Sequence, residues 1–157
     1  MTVRSTPFAL TNFQFDIADE RAAFRDDRLE ATARFLHEHL DRYGDPIEHI
    51  RACLHRASGD GDADGGTVTL AEADGEIVGA VVTNDTHMAG YVPENLLVYV
   101  ATHCDRRGHG IGRAVMERAV EGCRGGVALH VEPDNPAVKL YEKLGFTSKY
   151  LEMRLRR

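Results

Sequence analysis

Cysteine is scarce in this 157-residue chain. There are three, Cys53, Cys104 and Cys123. An odd count at wide spacing excludes a disulfide framework and a zinc knuckle, and predicts reduced thiols in a cytoplasmic protein. A basic excess is also missing. Nineteen Lys and Arg stand against 25 Asp and Glu, for a net charge of −6. That balance disfavours a nucleic-acid binder working by phosphate neutralisation and leans towards a cationic small molecule. No basic stretch followed by an apolar run opens the sequence, so no secretory leader is expected. No apolar run approaches the roughly 18 residues a membrane helix needs. What remains, 43% hydrophobic and 28% charged residues, is the composition of one ordinary globular domain. Residues 1–157 are expected to form that single domain.

The most unusual stretch is Arg106-Arg-Gly-His-Gly-Ile-Gly-Arg113, where glycine occupies every second position from 108 to 112. Glycine costs roughly 0.5–1 kcal/mol relative to alanine inside regular structure, so close approach to the backbone is expected there. Upstream, Asn95–Thr102 reads as a buried strand. Downstream, Ile111, Ala114, Val115, Ala119, Val120 and Cys123 recur at helical spacing. A strand, a glycine-rich turn and a helix start together make an anion site, because unpaired amides and the helix dipole point the same way. Arg107 and Arg113 add positive charge. The loop is no Walker A motif, since no lysine and hydroxyl follow Gly112. It is no dinucleotide fingerprint either, since the third glycine would fall on Arg113.

Elsewhere the pattern mixes strands and helices. Phe13–Ile17 alternates as a strand. A helix is predicted from about Asp19, with Leu29, Ala33, Leu36, Leu40 and Tyr43 on one face and Gly44 as its stop. A second helix has Asp45 as N-cap, Pro46 at its first position and Glu48 as capping partner. Residues 67–73 and 76–83 form a hairpin around Asp74-Gly75. Between them and the second helix, Asp60, Asp62, Asp64 and Gly65 imitate half a calcium loop. The Glu arrives one residue late, at 72, so an acidic surface loop is expected. A strand over 126–133, a helix capped by Asn135 and stopped by Gly145, and a last strand over 148–156 complete the chain. Hairpins together with a strand–helix–strand crossover indicate one mixed-sheet α/β domain.

Arg107-Gly-His-Gly110-Ile-Gly112 resembles the Arg/Gln-x-x-Gly-x-Gly/Ala motif of the GNAT acyltransferases, which cradles the pyrophosphate of acetyl-CoA. His130–Phe146, HVEPDNPAVKLYEKLGF, resembles the second signature of that family, and the likeness runs from about residue 68 to 155. The resemblance implies a GNAT-type α/β (α+β mixed) domain. Its central, mostly antiparallel mixed sheet would have six to seven strands flanked by about four helices. It implies that backbone groups of Val100, Ala101 and Thr102 hold the pantetheine arm. It maps the pyrophosphate onto the amides of Arg107, Gly108, His109, Gly110, Ile111, Gly112 and Arg113, and gives Asn135 a hydrogen bond to the cofactor arm. Tyr141 corresponds to the tyrosine that protonates the leaving thiolate, a role a neutral phenol can fill, although its helix face also suits the core.

The implied activity is an acetyl-CoA-dependent N-acetyltransferase, needing no metal, that acts on the amine of a small molecule or peptide. Glu94, sharing pleat parity with Leu96, Val98 and Val100, is the candidate base. His87, His103 and His130 are alternatives. Cys104 is not expected to be a nucleophile, because His103 points the opposite way on an extended chain. His37 and His39 at i, i+2 lie on different sides of a helix and form no zinc pair. A homodimer is expected from the family. A non-catalytic CoA-binding module is the competing reading, and hydroxyl acceptors or longer acyl groups would look the same. The acceptor-facing segments, 19–57 and 84–94, carry the least recognisable text.

Overall fold

The computed structural model describes the backbone of residues 8–10 and 13–20 and all atoms of residues 26–59 and 65–157. Six strands form one sheet in chain order: β1 (Phe8–Leu10), β2 (Phe13–Glu20), β3 (Gly66–Ala73), β4 (Glu76–Asp85), β5 (Asn95–Thr102) and β6 (Val127–Leu129). Every neighbouring pair is antiparallel except β5 and β6, which run parallel. Helix α3 (Ile111–Gly122) makes that parallel crossover. The β3–β4 turn is the expected hairpin, with Asp74 and Gly75 both at positive φ, 52° and 78°, as a two-residue turn requires.

Helices cover both faces. On one, α1 (Asp26–His39) and α2 (Ile47–Ser58) bury Leu29, Leu36, Ile50 and Leu54 against Val68, Leu70, Val82, Tyr99 and Ala101. On the other, α3 and α4 (Val138–Lys143) bury Ile111, Val115, Met116 and Tyr141 against Ala71, Val81 and Leu97. Each fully buried Leu, Ile or Val contributes about 1.5–3 kcal/mol, so the two-sided sheet is the organising element.

Several expectations shift. Residues 18–20 continue β2, and the first helix begins at Asp26. It ends at His39, and Tyr43 belongs to a separate 3-10 turn, Asp41–Tyr43, entered with Asp41 at φ 53°. Helix α2 has no side-chain cap and starts at Ile47. The Asp45 carboxylate instead accepts a hydrogen bond from the Tyr99 hydroxyl at 2.6 Å. The strand over 126–133 is cut to Val127–Leu129 by the turn that follows. Residues 147–157 form no strand, and Tyr150, Leu151, Met153 and Leu155 are exposed. The calcium-like run Asp60, Asp62 and Asp64 lies outside the described residues.

Candidate acetyl-CoA site

Two features of β5 shape the site. The first is a bulge. Val82 pairs with Tyr99 but Thr83 pairs with Leu97, so Val98 is an extra residue on β5. Side chains reverse faces across it. Val98 and Tyr99 both pack on the α1–α2 layer, and Leu97 and Val100 pack on the α3 layer. Pleat parity therefore does not carry from Glu94 through to Val100. The second feature is a departure. The β6 strand pairs with β5 only at Asn95, Leu96 and Leu97. Beyond Leu97 the outer edge of β5, through Val100, Ala101 and Thr102, has no strand beside it among the described residues. A splayed edge leaves backbone donors and acceptors for an extended ligand.

The wedge opens at the glycine loop. His103 donates its amide to the Val78 carbonyl at 2.9 Å and ends the strand. A 3-10 turn, Cys104–Arg106, follows, and Arg107 is extended. Gly108 and Gly110 have φ 80° and 79°, which only glycine adopts freely. The third glycine serves packing. A Cβ on Gly112 would lie 3.0 Å from Thr102 Oγ1 and 3.7 Å from Leu140 Cδ2, so its absence lets α3 start close against β5 and α4. The His109 ring Nδ1 lies 3.1 Å from the Arg106 and Arg107 carbonyls, folding that side chain back onto the loop. Ile111, Gly112 and Arg113 are the first turn of α3, whose amides have no intrahelical partner. Arg107 reaches away from the loop. Its guanidinium donates to the His39 carbonyl at 2.9 Å and to Asp41 at 3.0 Å. It ties the loop to the end of α1, while Arg113 pairs with Glu117 along its own helix.

Asn135 accepts the Ala137 amide on Oδ1 at 2.9 Å. It caps the turn before α4, leaving its side-chain amide donors. Next to it, Asp134 pairs with Arg42 and accepts the Tyr43 hydroxyl on its carbonyl. This clasp joins the α1–α2 connection to the turn after β6. Tyr141 is 9% exposed, and its ring lies edge-on to Phe146 at 6.1 Å. Burial pushes its phenol pKa up, so the hydroxyl keeps its proton at neutral pH.

The candidate base does not join them. Glu94 accepts the Gly126 amide on Oε2 at 2.6 Å. Its own amide and that of Gly126 hold its pKa below the usual carboxylate value. The strand β5 separates it from the loop, and its place is the junction where β6 begins. Among the histidines, His87 is exposed beside Asp85 and His130 is exposed after β6. His103 stacks on His39 with ring centroids 4.3 Å apart. Sequence reasoning missed that second contact and the Tyr99–Asp45 bond. Both link residues more than 50 positions apart, and nothing in local spacing signals them.

A sequence model of the Acetyltransferase (GNAT) domain matches residues 64–148. No curated protein sequence matches the chain. Among solved structures, the chain superposes on the aminoglycoside N-acetyltransferase AAC(6')-Iy in complex with CoA. The TM-score is 0.69 at 18% identity, covering 96% of this chain and 99% of that one. The same enzyme with a bisubstrate analogue, CoA-S-monomethyl-acetylneamine, gives 0.66 at 18% identity over 91% and 97%. A ribosomal-protein-alanine N-acetyltransferase from Brucella melitensis biovar Abortus 2308 gives 0.59 at 22% identity over 91% and 99%.

Proposed function

The chain belongs to the GNAT acetyltransferase family, and on that premise we propose that it transfers the acetyl group of acetyl-CoA to the amine of a small molecule or peptide. The observation that carries this reading is the edge of β5 that no described strand covers, running straight into a loop with Gly108 and Gly110 at positive φ before the start of α3. Pyrophosphate sits on the amides of Arg107–Arg113, where the helix dipole favours negative charge. The pantetheine arm follows Val100, Ala101 and Thr102, and Asn135 donates to it from the facing turn.

The neutral amine attacks the thioester carbonyl. The nitrogen–carbon bond forms, the carbon–sulfur bond breaks, and the thiolate takes the proton of Tyr141. Solvent restores that proton and removes the one the amine loses. We do not assign that second transfer to Glu94, whose carboxylate is committed to Gly126. A net charge of −6 supports a cationic acceptor. The whole chain acts as one domain in the cytoplasm. No disulfide joins Cys53, Cys104 and Cys123, and among the described residues no helix is long and apolar enough to cross a membrane.

A homodimer is part of the same proposal. Leu151, Met153 and Leu155 alternate along the sequence, a spacing that puts them on one side if the chain is extended, and they are 93%, 92% and 83% exposed. A second copy is the partner that would cover them. Calorimetric titration tests the cofactor assignment. Acetyl-CoA is expected to bind the chain at micromolar concentration, and Gly112→Val to abolish binding by pushing α3 off Thr102. Absence of binding to the unaltered chain would overturn the assignment.

A further inference from the structure

The 3-10 turn after β5 brings together three metal-ligating side chains that the sequence keeps apart. His39 comes from the end of α1, and His103 and Cys104 enter the turn. One ligand atom from each lies within 4.8 Å of the others. On an extended chain His103 and Cys104 would point oppositely, but the turn folds them onto one side. The His39 Nδ1 accepts the Cys104 amide at 3.2 Å, and the His103 Nδ1 accepts the Asp105 amide at 3.2 Å. Both Nδ1 atoms thus face adjacent residues of one turn, beside the Cys104 sulfur. The Asp105 carboxylate is 3.7 Å from that sulfur.

We propose that His39, His103 and Cys104 form a binding site for a borderline-soft divalent cation such as zinc, with Asp105 or water in the fourth position. Two imidazoles and a thiolate suit zinc or cobalt and not magnesium or calcium. A tetrahedral ion sets such ligands roughly 3.3–3.6 Å apart, so the side chains close by about an ångström and the two long amide bonds give way. Binding converts the Cys104 thiol to a metal-bound thiolate and releases one proton to solvent.

Access exists. His103 lines an open groove of about 390 Å³ together with Asp74, Glu76, Asp105 and Arg106, where three carboxylates outnumber one guanidinium on the approach of a cation. The nearby Arg107 guanidinium is already neutralised by Asp41. His39 is 5% exposed, which anchors one ligand rigidly.

Cobalt(II) chloride is the probe, because a thiolate ligand gives it a sulfur-to-metal charge-transfer band and tetrahedral geometry gives intense visible bands. The chain is expected to bind one cobalt ion with both signatures, and zinc to displace it. Cys104→Ser should abolish the charge-transfer band, and His103→Ala should weaken binding at least tenfold. Cys123→Ser should change neither. Cys104 and its turn are exposed, so the serine variant tests ligation without disturbing the core. A wild-type spectrum without the charge-transfer band, or a band that survives Cys104→Ser, would overturn the proposal. None of these readings depends on acetyl-CoA, so failure here leaves the transferase assignment standing.

Discussion

Tyr141 and Glu94 divide the residue-scale argument between them. Tyr141→Phe keeps the ring against Phe146 and removes only the hydroxyl that carries the proton. We expect kcat to fall about 10²–10⁴-fold, with the acetyl-CoA dissociation constant unchanged within about twofold in parallel titrations. The pH profile follows from the raised pKa of that phenol. The protonated form is the working one, and activity is lost as pH rises through the folded-state value. Any alkaline limb due to Tyr141 should therefore lie above the ordinary tyrosine value of about 10, and Tyr141→Phe should lack it. Glu94→Ala should do the reverse. It leaves the Gly126 amide without its acceptor, so thermal unfolding should show a lower Tm while kcat stays within about twofold. A hundredfold loss of kcat with an unchanged Tm would return the base role to Glu94. Its candidacy rested on parity along β5, which the extra residue at Val98 interrupts. A bulge has no signature in an alternating apolar run, so the break in parity was not visible in the sequence.

At the scale of elements, two contacts position the site. Helix α3 lies so close to β4 that a Cβ on Gly79 would sit 2.8 Å from Ile111 Cγ2 and 3.1 Å from Val115 Cγ2. Both neighbours are stiff β-branched chains. Gly79→Ala should cost about 1–3 kcal/mol in denaturant unfolding and raise the KM for acetyl-CoA, because the loop moves with the helix start. Helices α1 and α2 are joined by Glu30, which accepts from Arg51 at 2.7 and 2.8 Å and from Arg34 at 3.0 Å. The arginine hydrogen bonds lower its pKa from 4.5 to about 2. A depressed carboxylate contributes stability that is present above 4.5 and lost as pH falls through 2. Glu30→Gln should therefore unfold more easily than the unaltered chain at pH 7 and about equally near pH 2. The elements themselves were largely legible. Asp74-Gly75 marked its hairpin, and the helical spacing after Gly112 marked α3. Caps were less so. Asp45 had the right residue type before a proline, but Tyr99, 54 positions later, takes its carboxylate. Long-range partners override local propensity wherever a polar side chain can reach the core.

For the whole molecule, the sheet with helices on both faces follows from two incompatible apolar stripes that must each be covered, and the wedge follows from where β6 leaves. The glycine loop and the 130–146 block announced themselves because their spacing is set by backbone geometry. The acceptor surface did not, because side chains there answer to a ligand and not to the fold. The last expected strand failed for a physical reason. An alternating segment such as Leu151-Glu-Met-Arg-Leu155 forms a strand only against an edge, and among the described residues no edge pairs with it. The measurement that bears most directly on the central claim is release of free thiol from acetyl-CoA in the presence of a panel of cationic amines, run with the unaltered chain and with Tyr141→Phe. Amine-dependent thiol release, reduced at least a hundredfold in the variant, is the predicted result. Tight acetyl-CoA binding with no thiol release for any amine would contradict it, and would leave a cofactor-binding module in place of an enzyme.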